Sequence, residues 1–175
     1  MSDYNYRSYS DCQDVLIENE TIKPENCLEY DDILKFSKAE YVVVKNSQIW
    51  GGREDCVDMN RYCKDICIKD TTLFPRGKYG VTIKGGSNRI TLKNINFYWH
   101  GSEVDIDIGN WSDQSDELTR GVRLVNIQAA DDRPVKVRVL WGEVPEVIGG
   151  NVVVRKVPTI LVKAYRFLRK RRLVP

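Results

Sequence analysis

Carboxylates recur at one predicted corner of this chain, at an interval of about 24 residues. Asp31 is followed one interval later by Glu54 and Asp55. Asp58 and Asp107 are expected to lie close to them, on the outward side of neighbouring strands. Carboxylates held near one another raise each other's pKa values, so one can act as a general acid while another activates water. If the chain is an enzyme, Asp55 would be the general acid, and Asp31 and Glu54 would activate water.

The acidic corner has two other interpretations. Carboxylate oxygens are the ligands that Ca²⁺ prefers, so the corner could hold that ion. A solenoid must also expose polar groups at its corners, and spacing alone favours such a solvated corner. We expect Arg53, Lys35 or Lys84 to neutralise part of the negative charge, and Lys84 is preferred because it is outward on the strand one coil above Asn60. No other metal site is predicted, since Cys63 and Cys67 form only one close pair.

An aromatic column accompanies the acids. Trp50, Phe74 and Tyr98 stand 24 residues apart, and each follows a residue of an equally spaced apolar column. Adjacent residues of an extended strand point to opposite sides, so both columns cannot face inward. Exposed stacked aromatic rings would bind sugar rings or another subunit, whereas a local bend would bury them. The sequence leaves both alternatives open.

The elements that position these residues repeat with the same interval. Residues 42–46, 66–70 and 90–94 read Val-Val-Val-Lys-Asn, Ile-Cys-Ile-Lys-Asp and Ile-Thr-Leu-Lys-Asn. A fixed interval of this length is typical of a solenoid, and alternation with a period of two indicates strands. The sequence therefore predicts an all-β, single-domain, right-handed parallel β-helix of about five to six coils.

The interval also predicts the register. Ile68 should point inward between Val44 and Leu92, and Asp31 should lie directly below Asp55. Each coil would rise about 4.8 Å above the last.

Asn46, Asp70 and Asn94 stand where each strand must bend. Asn and Asp tolerate the left-handed backbone conformation. We therefore expect a column of turn residues that bond from coil to coil.

The chain divides into three parts within one domain. Residues 1–26 show no period and are predicted to cap the first coil, and residues 27–157 form the β-helix. Residues 158–175 are basic, and apolar positions at helical spacing over 159–168 predict a short capping helix. An insertion over 111–120 should leave one corner, and His100, the only histidine, is predicted to be a turn residue.

Residues 27 to about 94 resemble the central coils of polygalacturonases, within the pectin-lyase-like β-helix superfamily. The family motifs are Asn-Thr-Asp, then Gly-Asp-Asp-Cys, then Gly-His-Gly, one coil apart. Here residues 29–31, 53–56 and 78–80 read Glu-Tyr-Asp, Arg-Glu-Asp-Cys and Lys-Tyr-Gly. Asp31 and Asp55 match family acids, Glu54 replaces an Asp, and Tyr79 stands where the family has its catalytic-site His. The family's Arg-Ile-Lys is missing from 104–108. The resemblance implies a β-helix with degenerate catalytic motifs, in which Tyr79 belongs to a binding face.

Bulk properties bound the setting. The net charge is +2, so nucleic acid is not favoured as a partner. Residues 1–26 carry six acids, whereas residues 151–175 carry eight Lys or Arg and no acid. Five cysteines, an odd number, suggest structural thiols. We expect no signal peptide, no membrane partner, and a cytoplasmic or virion-associated protein.

Three functions are compatible with these observations. The first is a non-catalytic binding or structural β-helix that presents one face to a polysaccharide or to a partner subunit, including a second copy, in a phage or surface assembly. The second is a glycoside hydrolase or lyase acting on an acidic polysaccharide. The third is partner or nucleic-acid binding through the basic C-terminus. Tyr79 and the missing Arg-Lys pair favour the first over the second.

Overall fold

The computed structural model describes residues 6–98, 104–109 and 117–171. His100 and most of the predicted insertion at 111–120 lie outside these ranges. The strands are β1 (Arg7–Ser10), β2 (Leu16–Glu18), β3 (Thr21–Ile22), β4 (Asp32–Ser37), β5 (Glu40–Lys45), β6 (Gln48–Trp50), β7 (Asp55–Asn60), β8 (Lys64–Phe74), β9 (Tyr79–Ile83), β10 (Asn88–Phe97), β11 (Val104–Ile108), β12 (Arg120–Ala129), β13 (Val135–Val139), β14 (Glu146–Gly150) and β15 (Val152–Lys156). A short 3₁₀ helix spans Cys27–Glu29, and α1 spans Thr159–Lys170.

The strands form two parallel sheets that wind around a common core. The first sheet has the order β1-β4-β7-β9-β11-β13-β15. The second has the order β14-β12-β10-β8-β5-β2, with β6 pairing with β8 and β3 pairing with β6. Successive strands of one sheet come from successive coils, and the chain makes about five turns. The predicted all-β parallel β-helix is confirmed.

The predicted core register is confirmed in the second sheet. Ile68 pairs with Val44 on one side and with Leu92 on the other. All three side chains are fully buried. The interval of 24 residues holds from β5 to β8 and from β8 to β10, and the insertion lengthens it to 32 between β10 and β12, where Leu92 meets Leu124.

The column of turn residues is also confirmed. Asn46, Asp70, Asn94 and Asn126 all have φ of 51°, in the left-handed region. Asn94 Nδ2 donates to Asp70 Oδ1 at 2.7 Å, and Asn126 Nδ2 donates to Asn94 Oδ1 at 3.2 Å. Short amide and carboxyl side chains therefore relieve the bend and link the coils at the same time.

The N-terminal segment does more than cover the first predicted coil. Its strands β1, β2 and β3 pair in parallel with β4, β5 and β6. Arg7 lies opposite Leu34 and Leu16 opposite Val43, an interval of 27. This segment therefore adds a coil whose longer interval hid it from the sequence period.

In the first sheet, the predicted position of Asp31 below Asp55 is wrong by one residue. Asp32 is the residue opposite Asp55. The reason is the turn that leads into the second sheet. Two residues, Lys38 and Ala39, separate β4 from β5, whereas three residues separate β7 from β8. The interval in this sheet is therefore 23 between β4 and β7, and it returns to 24 between β7 and β9.

The predicted C-terminal helix is confirmed as α1. It follows β15 after Pro158, whose fixed φ and missing N–H suit the start of a helix. Among the described residues, no helix is long and apolar enough to cross a membrane.

Candidate functional site

The three predicted catalytic carboxylates do not form one site. Asp31 accepts hydrogen bonds from the Arg53 guanidinium, at 2.9 Å from Nε, and both side chains are more than half exposed. Glu54 pairs with Lys78 at 2.5 Å on the surface. Asp55 is instead 2% exposed. The turn that shifts the register places Asp31 beside Glu54 at the surface and places Asp32 next to Asp55.

Asp55 lies among buried polar groups of the first sheet. Thr82 Oγ1 donates to Asp55 Oδ1 at 2.9 Å. Burial raises the pKa of Asp55 well above its ordinary value, and the negative charges of Asp58 and Asp32 raise it further. Burial and the charge of Asp58 also raise the pKa of Asp32. Protonation of one carboxyl in this group is therefore favoured in the folded protein.

Asp58 is the centre of the ionic contacts. It is fully buried and accepts a hydrogen bond from Asn60 Nδ2 at 2.7 Å. Lys84 Nζ lies 3.1 Å from Oδ1, and Lys35 Nζ lies 3.5 Å from Oδ2. Lys35 also contacts Asp32 at 2.7 Å. All three predicted neutralisers make ion pairs: Lys84 with Asp58, Lys35 with Asp58 and Asp32, and Arg53 with Asp31.

Asp107 continues the network one strand further. It stands in the column that contains Asp58 and Thr82. Arg138 Nε and Nη2 donate to its two carboxylate oxygens at 2.9 and 3.0 Å. Burial raises the pKa of Asp107, and the hydrogen bonds from Arg138 oppose that rise.

Tyr79 and Arg138 cover this end of the network. Arg138 Nη2 donates to the Tyr79 hydroxyl at 3.1 Å, and its guanidinium lies 5.3 Å from the centre of the Tyr79 ring. Tyr79 therefore packs on an arginine at the position where the resembled family has its histidine. Its hydroxyl accepts the hydrogen bond from Arg138, so Tyr79 belongs to this end of the network.

A second ion pair lies beside the first network. Arg133 donates to both oxygens of Asp105 at 2.7 and 2.8 Å, and the backbone N–H of Lys136 donates to the same carboxylate at 2.8 Å. Asp105 is nearly completely buried. A bidentate arginine and a backbone donor satisfy both of its oxygens, which is the arrangement that makes a buried charge tolerable.

The main array, which we call the buried ion-pair network, contains four acids and three cations. The acids are Asp32, Asp55, Asp58 and Asp107, and the cations are Lys35, Lys84 and Arg138. Four ionised acids would leave one negative charge in excess, whereas three would balance the cations. Burial and the charges of Asp58 and Asp32 raise the pKa of Asp55 well above its ordinary value, so Asp55 is the acid at which a balancing proton would be held. Chemically, the network can hold a proton, and its carboxylates are buried, with Asp55, Asp58 and Asp107 at most 2% exposed.

Asp32, Arg133 and Arg138 were missed by sequence reasoning. The alternation Val-Lys-Val-Arg-Val over 135–139 does indicate that Arg138 points outward. Its partner Asp107, however, stands 31 residues earlier, and that interval includes the insertion. No sequence period could have joined them.

The aromatic column forms a continuous stack. The Trp50 and Phe74 ring centres are 4.0 Å apart, and those of Phe74 and Tyr98 are 5.3 Å apart. Lys23 Nζ lies 4.9 Å from the Trp50 ring at the lower end. The rings cover one another's faces, and Tyr98 at the upper end of the stack is exposed. As a binding face, the column stays a prediction.

An open cleft of about 640 Å³ lies on the outer side of the second sheet. It is bordered by two ion pairs: Arg89 with Asp65 at 2.5 Å, and Arg123 with Glu146 at 2.7 Å. Gly121 lies against Arg89 with φ of +58°, and its missing side chain leaves room in the wall. The volume falls within the range of small-molecule sites. Sequence reasoning missed this cleft, because its walls come from four successive coils.

Among the described residues, no group of three His, Cys, Asp or Glu side chains is arranged to hold a metal ion. Lys35 and Lys84 stand where a cation at the acidic corner would be expected. All five cysteines are free. Burial raises the pKa of Cys63 to about 11, so this thiol stays protonated at neutral pH. Comparisons with protein-family models, with curated proteins and with solved structures found no match to this chain.

Proposed function

We propose that this chain is a non-catalytic β-helix, related to polysaccharide-processing β-helices, that serves as a binding or structural scaffold. One observation carries the proposal. The three acids that resemble a polygalacturonase site are separated into two surface ion pairs and one buried carboxyl, Asp55. Hydrolysis needs two carboxyl groups facing one glycosidic bond, and the described residues offer no such pair at this corner.

An activity assay tests this proposal directly. Reducing-end release from polygalacturonate is measured for the wild type and for Asp55→Asn, which keeps the oxygen that accepts from Thr82. We expect no release from either protein. Release by the wild type that is abolished in a folded Asp55→Asn variant would establish the hydrolase instead.

The hydrolase is the second candidate, because a raised pKa is what a general acid requires. Asp55 has that property. Its burial argues against the role, since a general acid must reach the leaving oxygen of the substrate. The missing Arg-Lys pair is a second argument, because Arg53, Lys78 and Lys84 at this corner are each already paired with an acid and are not free to bind a uronic acid carboxylate.

For the scaffold, the cleft on the second sheet is the proposed ligand site. Its border combines guanidinium and carboxylate groups, which donate to and accept from sugar hydroxyls. Arg89 and Arg123 are each matched by an acid, so the cleft has no excess of positive charge. This balance favours a neutral oligosaccharide over an acidic one.

A titration with an oligosaccharide panel tests the ligand class. We expect neutral oligosaccharides to perturb the backbone NMR signals of Thr91 and Arg123, and Arg123→Ala to remove the effect. Arg53→Ala is the matched control, because it removes an equally exposed arginine from a pair far from the cleft. Binding of acidic sugars alone, or binding unchanged by Arg123→Ala, would exclude this site.

A further inference from the structure

The C-terminal helix α1 is amphipathic, but it packs on the β-helix with its less apolar side. Val162 is 1% exposed, and the Arg166 guanidinium lies 4.6 Å from the centre of the Trp141 ring. These two residues are four positions apart, so they share one side of the helix. That side faces the β-helix.

The apolar side of α1 points away from the β-helix. Ile160, Ala164 and Phe167 follow the spacing i, i+4, i+7, and at about 100° per residue they lie about 150° around the axis from Val162 and Arg166. Ile160 is 75% exposed and Phe167 is 52% exposed. Leu161, beside them, is 57% exposed. A helix that only capped the solenoid would turn these side chains inward, so the outward stripe calls for another apolar surface.

The charges carried by the C-terminal segment itself are of one sign. Residues 151–171 contain seven Lys or Arg and no acid. Lys163 lies next to Phe167 around the helix axis, and the Arg171 guanidinium lies 4.2 Å from the centre of the Phe167 ring. Long cationic side chains beside an apolar stripe can keep their charges in water while their stems follow the buried residues.

We propose that α1 binds the surface of an anionic lipid membrane, with Ile160, Leu161 and Phe167 inserted at the level of the headgroups. A helix with one apolar side and a strongly basic remainder lies in the plane of such an interface. The basic residues add electrostatic attraction to anionic lipids. A membrane surface fits better than pairing of α1 with α1 of a second copy, because that pairing would bring two sets of cations together. The expectation of no membrane partner rested on the lack of a spanning segment, and surface binding needs none. The inference is independent of the proposed function.

Vesicle flotation of the full chain tests the proposal. The protein is mixed with vesicles of phosphatidylcholine alone, or of phosphatidylcholine with phosphatidylserine. We expect flotation with the second kind only, and loss of flotation at high salt. The double variant Ile160→Ser, Phe167→Ser should bind these vesicles at least roughly tenfold more weakly than the wild type, since two apolar anchors are lost. Leu16→Ser is the control, because Leu16 is equally apolar and exposed but lies on β2.

Both serine substitutions are at exposed positions, so circular dichroism and the urea midpoint should match those of the wild type. Three results would overturn the proposal. The wild type could fail to float with phosphatidylserine vesicles. Alternatively, the folded double variant could float as well as the wild type. In lipid-free solution the wild type could form oligomers that the double variant disperses, which would identify a second copy as the occupant of the stripe.

Discussion

Asp55 and Asp58 lie three residues apart on β7, and replacing each by Asn should have different effects on stability. Asp58→Asn removes the negative charge that Lys84 contacts at 3.1 Å and Lys35 at 3.5 Å. Asp55→Asn removes a carboxyl whose ionisation is opposed by burial and by two neighbouring acids. The same chemical change therefore breaks ion pairs at one position, whereas at the other it replaces a carboxyl whose ionisation is unfavourable.

The magnitudes follow from burial. Breaking a buried ion pair costs about 3–5 kcal/mol, because the remaining charge is left without compensation. Lys35 keeps its contact with Asp32 and is 35% exposed, so solvent screens its share. We therefore expect Asp58→Asn to lower the free energy of unfolding by about 3 kcal/mol at neutral pH. Asp55→Asn should leave it unchanged or raise it, because the new amide oxygen still accepts from Thr82.

The raised pKa of Asp55 also predicts how the difference in unfolding free energy between the wild type and Asp55→Asn changes with pH. A folded-state pKa above the unfolded value means that protonated Asp55 favours the folded protein. This contribution is complete below the unfolded pKa of about 3.9 and is lost as the pH rises through the folded-state pKa. The stability of the wild type relative to Asp55→Asn should therefore fall as the pH rises through that window, by about 1.4 kcal/mol for each unit of pKa difference.

Urea unfolding of the three proteins, followed by circular dichroism and tryptophan fluorescence over a series of pH values, measures both effects. The dependence on urea concentration should have the same slope in all three, since the surface exposed on unfolding is unchanged. If Asp55→Asn destabilised the protein as much as Asp58→Asn at neutral pH, Asp55 would be ionised and paired. The charge balance proposed for the network would then be refuted.

Two further substitutions test the β-helix itself. Ile68→Ala should lower the free energy of unfolding by about 2–5 kcal/mol, because it opens a cavity between fully buried neighbours; Ile148→Ala on β14, where the side chain is 43% exposed, should cost much less. Equal losses in urea unfolding would place Ile68 outside the core. Asn94→Ala should lower the free energy of unfolding by about 1–3 kcal/mol in the same urea experiment, since alanine is strained at φ of 51° and the hydrogen bond to Asp70 is lost. Asn94→Gly relieves only the strain, so a loss as large as that of alanine would assign the effect to the hydrogen bond.

Much of the fold could be predicted from the sequence, because a solenoid repeats one local solution. Alternation with a period of two indicates which side of each strand is apolar, and the interval of 24 stacks those sides. Ile68 fell between its predicted neighbours for this reason. Asn94 fell at its predicted bend because the left-handed conformation is a property of that residue and its immediate backbone.

The candidate site depended on distances that the period does not contain. A turn shorter by one residue placed Asp32, in place of Asp31, beside Asp55. Asp107 and its partner Arg138 are separated by an insertion, and the sequence does not define the path of that insertion. Acids that were predicted to be exposed are buried in the structure and belong to an ion-pair network. Whether a residue is buried depends on the tertiary fold rather than on the residue type.

The sequence by itself determined the strands, their stacking, the column of turn residues and the amphipathic helix α1, because each follows from local periodicity and backbone preference. Tertiary structure decided which acid meets which cation, since that depends on turn lengths that accumulate along the coil. It also decided which side of α1 faces the β-helix. Helical periodicity creates an apolar side, but only docking through Val162 and Arg166 turns that side towards the solvent.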